Sequence, residues 1–119
     1  MSQKSEEKAI HKLNQQWGAA ATKLDLEGVV AFYTRNGALL WPDQDMVRGT
    51  AGIRKAWRKT MKDYPGLKLV FTPERVEFSA SGDLALDCGQ VAFTAGLGKE
   101  RATHLGKYLV AWEKVDGTW

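Results

Sequence analysis

The sequence is poor in the residues that make covalent and metal chemistry easy to recognise. It has one cysteine, Cys88, and two histidines, His11 and His104. A single cysteine excludes an internal disulfide and fits a reducing compartment, so a cytoplasmic location is expected. It has no histidine beside it in sequence, which argues against thiol catalysis. The two histidines lie 93 positions apart among scattered acids. That is no metal-ligand spacing, and neither a metal nor another cofactor is expected. Glycines stand singly or as the hairpin-like "GLG", not as a phosphate cradle. No apolar run approaches the roughly 20 residues that span a bilayer, so no membrane partner is expected. The polar start "MSQKSEEKAIHK" lacks the apolar centre of a secretion signal. Charge of one sign is scarce too. Seventeen basic against fourteen acidic side chains leave +3, too little and too scattered to argue for nucleic acid. The basic run "IRKAWRKTMK" reads as the solvated side of an amphipathic helix.

What remains is an ordinary globular composition in 119 residues, enough for one domain over 1–119 and not for two. The first half has helical periodicity. Ile10, Leu13, Trp17, Ala20 and Leu24 form one stripe over residues 6–24. Asp25 is placed to cap a second helix carrying Leu26, Val29, Val30, Phe32 and Tyr33, which "RNG" ends with Gly37 left-handed. Thr50 is placed to cap a third, with Ile53, Trp57 and Met61 inward, ending before Pro65. After Gly66 the period becomes two. "LKLVFTPERVEFSA", "LALDCGQVAFTA" and "RATHLGKYLVAWEKV" read as strands, with irregularities at Pro73 and Gly89 and turns at "SGD", "GLGKE" and "DG". The expected class is α+β: a curved, cone-shaped antiparallel sheet with three helices from the N-terminal half enclosing a pocket.

Five tryptophans are many for this length. Trp17, Tyr33, Trp41, Trp57, Tyr108 and Trp112 are the candidate pocket walls, with core packing as the plainer reading of each ring. A small, largely apolar ligand is the expected partner. His104, Tyr108, Val110 and Trp112 share one face of the last long strand; Leu105, Lys107, Leu109 and Ala111 share the other. Two apolar faces predict a homodimer, with Leu105, Leu109, Ala111, Val91 and Phe93 at a twofold sheet-to-sheet contact.

"LLWPDQD", residues 39–45, poses the sharpest local question. Its aspartates are either carboxylates at a pocket mouth or turn chemistry, and turn chemistry is the first reading. Asp45 is the better functional candidate, with Arg48 as its partner or as an anion contact. His104 reads first as structural and second as a base. Asp87 reads first as an exposed interstrand charge and second as a buried base.

The runs "AIHKLNQQWGAAATKLDLEGVVAFYTRNGALLWPDQDMVRGTAGIRKAW", "VEFSASGDLAL" and "GKYLVAWEKVDGTW" together cover most of the chain. They resemble the SnoaL-like branch of the nuclear-transport-factor-2-like superfamily. That group includes ketosteroid isomerase, limonene epoxide hydrolase and polyketide cyclases. The resemblance implies the cone fold and leaves activity open, because the fold hosts unrelated chemistry. It also implies positions for the isomerase groups. The base position, just before a proline after the first short strand, is Trp41, which cannot take a proton. The tyrosine donor of the first helix corresponds to Trp17, and the acidic donor of the late strand falls near Tyr108. Epoxide hydrolysis in this group uses an Asp–Arg–Asp arrangement, to which Asp87 offers one acid. The family usually continues past the final tryptophan with one more strand.

Overall fold

The structure is a computed structural model and describes residues 2–119. Helix α1 spans Gln3–Thr22, its first turn capped by the Ser2 hydroxyl, which accepts from Ser5 N at 3.2 Å. Its buried stripe is Glu6, Ile10, Asn14, Trp17, Gly18 and Ala21. The expected stripe is therefore rotated. Leu13 and Ala20 lie at its border, and Leu24 is half exposed beyond the helix end with φ 57°. Two polar side chains, Glu6 and Asn14, take positions that a purely apolar pattern does not anticipate. Gly18 lets α1 press on the sheet, since a Cβ there would stand 2.7 Å from Leu69 O. The Thr22 hydroxyl fixes the same contact by donating to Gly18 O at 2.8 Å and accepting from Leu69 N at 3.3 Å.

Helix α2, Leu26–Val30, is capped by Asp25 as expected, which accepts from Gly28 N at 3.0 Å. It is shorter than its apolar pattern. Phe32 and Tyr33 fall in the turns that follow, and Gly37 is not left-handed. Strands β1 (Ala38–Leu39) and β2 (Val47–Arg48) form a small antiparallel pair closed by the loop 40–46. Helix α3 is Gly49–Asp63. Arg48 precedes it without a side-chain cap bond, and Thr50 lies inside the first turn instead of capping it. Ile53 and Trp57, one turn apart, are its buried pair. Tyr64 leaves the helix just before Pro65, which disfavours helical backbone in its predecessor.

Strands β3 (Lys68–Phe78), β4 (Leu84–Ala95) and β5 (Ala102–Glu113) form an antiparallel sheet in that order. Pro73 and Gly89 belong to one irregularity. The register shifts between Pro73 and Arg75, and Gly89 lies opposite. A Cβ at Gly89 would stand 2.2 Å from Thr72 O, so the bulge needs glycine there. The bulge also resets which face each β3 side chain meets. Leu69 and Phe71 point inward before it; Val76 and Phe78 point inward after it. Without the extra residue, Arg75 and Glu77 would face the core.

The cross-strand register sorts the two faces. Inward rows are Leu69–Phe93–His104, Phe71–Val91–Gly106, Pro73–Gly89–Tyr108, Val76–Asp87–Val110 and Phe78–Ala85–Trp112. Outward rows include Val70–Ala92–Leu105, Arg75–Cys88–Leu109 and Glu77–Leu86–Ala111. Val91 and Phe93 thus lie on the inner face, packed against the core, and not beside Leu105 and Leu109 as the strand pattern led us to expect. The helices cover the inner face around two apolar clusters, one centred on Trp17, Ile53 and Trp57, the other on Ile10, Ala85 and Trp112. Among the described residues, no helix is long and apolar enough to cross a membrane.

Candidate functional site

Asp87 is the centre of the most unusual arrangement in the molecule. It is fully buried on the inner face of β4. The reading of Asp87 as an exposed interstrand charge is therefore wrong; the register turns it toward α1, and the helix covers it. Three neutral donors hold it. Asn14 Nδ2 donates to Oδ2 at 2.7 Å, Trp112 Nε1 donates to Oδ2 at 3.1 Å, and the Tyr108 hydroxyl donates to Oδ1 at 2.9 Å. No cation is bonded to it among the described residues. A buried carboxyl group costs several kcal/mol unless its lone pairs are satisfied, on the order of the penalty for any desolvated charge. Three donors, one from α1 and two from β5, answer that cost. Tyr108, half-buried, has its hydroxyl pKa raised above the ordinary value, first by burial and then by the bond and the charge of Asp87. It stays protonated at neutral pH and presents the Asp87 network to the less covered half of the sheet.

The aromatic rings gather around Trp17. Phe71 stacks on it at 5.0 Å, and Tyr33, Trp57 and Trp112 meet it edge-on at 5.7, 6.3 and 6.5 Å. Trp41 extends the group by an edge contact to Trp57 at 5.2 Å, and Tyr108 by one to Phe71 at 5.2 Å. All six expected rings are thus brought together. They interlock at contact distance. Two surface depressions, of about 350 and 210 Å³, lie around Glu77 and Phe78, and none of the six rings lines either. Tyr33 accepts a hydrogen bond from Trp57 Nε1 at 3.0 Å; burial raises its pKa, and that bond lowers it in part.

The remaining candidates do not join the cluster. Asp43 and Asp45 are exposed in the loop 40–46, Asp43 in the left-handed conformation with φ 60°. That is the turn reading of "PDQD". Arg48 is exposed before α3 and makes no ion pair with Asp45. His104 shares the inward face with Tyr108, but it lies at the exposed end of the sheet opposite Phe93. No group of three or more His, Cys, Asp or Glu able to hold a metal ion occurs among the described residues.

Asn14 escaped the sequence reading. Its only signal was position: an asparagine four residues after Ile10 and three before Trp17, on the buried stripe of a helix. Two atoms near this centre have no hydrogen-bond partner although both are sealed from solvent, Asn14 Oδ1 and Trp17 Nε1.

Residues 3–119 match the family model of the SnoaL-like domain. The chain belongs to the SnoaL-like domain family. Solved structures agree on the nuclear-transport-factor-2-like fold of this SnoaL-like chain. A ketosteroid isomerase-like protein from Erwinia carotovora atroseptica superposes with a TM-score of 0.75 at 17% identity, covering 92% of this chain and 85% of that one. A candidate scytalone dehydratase from Novosphingobium aromaticivorans reaches a TM-score of 0.84 at 16% identity, covering 97% and 78%. A candidate dehydratase of the nuclear-transport-factor-2-like family from Streptomyces avermitilis reaches 0.81 at 13% identity, covering 99% and 92%. At such identities the likeness establishes the fold and says nothing of the reaction. A search of curated proteins finds no match for the SnoaL-like chain.

Proposed function

We propose that this SnoaL-like domain binds a small, largely apolar ligand against the inner face of its sheet, with one polar group of the ligand directed at the Asp87 network. The observation that carries this reading is a carboxyl group buried among aromatic rings, held by neutral donors, with one of those donors, Tyr108, reaching toward the less covered half of the same face. A site of that kind is apolar in bulk and polar at a few fixed points, which is the usual character of a small-molecule site. Phe71, stacked on Trp17 and edge-on to Tyr108, is the ring a ligand must displace, because the interior is closed by ring contacts. Calorimetric titration with toluene is the direct test. Saturable binding at millimolar concentration or below is expected. No heat of binding up to the solubility limit sinks the reading.

The same geometry favours a second reading, catalysis on such a ligand. Its support is the Tyr108–Asp87 pair, in which the Tyr108 hydroxyl gives its one proton to Asp87 Oδ1 and keeps oxygen lone pairs that can accept a hydrogen bond from a donor group of the substrate. The isomerase-type base has no counterpart, since Trp41 occupies that position and packs on Trp57. Isomerase, cyclase and epoxide-hydrolase chemistry therefore stand as alternatives to simple binding, and proton abstraction of the ketosteroid isomerase kind is not expected.

The outer face supports the homodimer. Leu105 and Leu109 are 78% and 71% exposed on the outward face of β5, with Lys107 between them and Leu86 and Val70 half exposed on the same face. Water-facing leucines in two outward rows, on either side of the polar row Thr72–Gln90–Lys107, offer apolar surface that a second copy would cover. Sedimentation velocity at micromolar concentration should show a dimer. The double variant Leu105→Lys, Leu109→Lys should sediment as a monomer; a monomeric wild type would overturn this part of the proposal.

A further inference from the structure

Asn14 and Trp17 sit three residues apart on α1, and both side chains belong to its buried stripe. Residues at that spacing are neighbours on one helix face, with Cβ atoms roughly 5–6 Å apart. Each leaves one polar atom without a partner. Asn14 spends its Nδ2 on Asp87 at 2.7 Å and keeps a bare acceptor, Oδ1. Trp17 keeps a bare donor, Nε1. Asn14 is fully buried and Trp17 is 8% exposed, so bulk water does not serve either atom. Buried polar atoms in folded proteins are nearly always paired, and an unpaired donor and an unpaired acceptor on one helix face need a common explanation.

We infer that these two atoms form a subsite for a hydroxyl group of the bound molecule. A hydroxyl is complementary to both at once: its oxygen accepts from Trp17 Nε1–H, and its proton is donated to Asn14 Oδ1. Other groups fit less well. A ketone or ether oxygen satisfies Trp17 and leaves Asn14 bare. An ammonium group satisfies Asn14 and has nothing for the indole N–H. A carboxylate would bring a second negative charge to the side of Asp87 and offers no donor. A hydroxyl is also the smallest group with both functions and costs least to desolvate in a closed interior. Gly18, next to Trp17, brings this part of α1 to within reach of β3, so the subsite is held rigidly against the sheet. The neighbours of the pair, Asp87 through Asn14 and Trp112 through Trp17, tie it to the network already described.

This inference rests on the ligand-binding reading and narrows it to alcohols and phenols. The test compares toluene with p-cresol, which is toluene plus a hydroxyl, by calorimetric titration of the intact chain. The readout is the affinity ratio of the two probes within each protein, so that changes in ring packing common to both cancel. In the wild type p-cresol should bind about tenfold more tightly, the effect of one well-placed pair of hydrogen bonds. In Trp17→Phe, which keeps an aromatic ring and removes the N–H, the hydroxyl keeps only its bond to Asn14 Oδ1, and the ratio should fall to about threefold. Toluene binding with no p-cresol advantage would overturn the subsite, leave the apolar-ligand reading intact, and indicate that an internal water satisfies both atoms. An advantage undiminished in Trp17→Phe would also overturn it and move the hydroxyl to Tyr108. If neither probe binds, the subsite and the ligand-binding reading fall together.

Discussion

The loop 40–46 and the middle of β4 each carry aspartates, and the structure treats them in opposite ways. Asp43 and Asp45 face water in an irregular segment, one of them in a left-handed turn conformation. Asp87 is sealed inside and bonded by Asn14, Tyr108 and Trp112. The loop is the more conspicuous in sequence, because two acids beside a proline and a tryptophan look like the rim of a site. The strand acid stands in "LALDCGQ", where it looks like one polar residue in an alternating pattern. Solvation reverses this ranking. An exposed carboxylate is stabilised by water wherever it stands, whereas a buried one persists only if the surroundings were built for it.

Removing the acid from each region measures that difference. Asp87→Ala strands two buried donors, those of Asn14 and Trp112, each costing about 1–3 kcal/mol when unpaired, frees the half-buried Tyr108 hydroxyl, and opens a small void. A total loss of about 3–5 kcal/mol is expected, read from the urea midpoint with an unchanged slope. A loss under about 1 kcal/mol would mean the network contributes little and the contrast with the loop is empty.

Glu6 offers an intermediate case, a largely buried acid whose partner is a cation. It accepts from Lys114 Nζ at 2.9 Å and from Trp119 Nε1. The Lys114 bond first, then the Trp119 bond, hold its pKa below the usual 4.5, against a smaller opposing effect of burial. A depressed carboxyl pKa contributes stability that is present above 4.5 and lost as pH falls through the lower folded value. Glu6→Gln should therefore be less stable than wild type at neutral pH, with the gap closing as pH drops below that value. Urea midpoints for both proteins across the acid range check this; a gap that stays constant with pH would assign the effect to packing.

At the small end, Asp43→Asn and Asp45→Asn should each shift stability by no more than about 0.5 kcal/mol, as at ordinary surface positions. Asparagine tolerates the left-handed conformation of Asp43 as aspartate does. Steady-state assay of a β,γ-unsaturated ketosteroid should show negligible turnover in wild type and in both variants. Clear wild-type turnover abolished by Asp45→Asn would make the acidic loop the active site and reverse the comparison.

The sequence by itself determined the class, the order of the elements and most of their ends, because those depend on local signals. Asp25 caps a helix, Pro65 follows one, "SGD" and "DG" turn the chain, and the period changes from helical to alternating after Gly66. It also placed Tyr108 and Trp112 on one face with His104, and it gathered the six rings into one group. Tertiary structure decided the rest. The bulge at Pro73–Arg75 set which β3 residues face inward, and the inter-strand register, not the pattern along one strand, put Val91 and Phe93 inside. Asp87 became a buried centre only because α1, 73 residues earlier, brings Asn14 to it. Alternation along a strand reports which face a residue takes. It carries no information about what covers that face, and it is the cover that turns a carboxylate from a solvated charge into a held one.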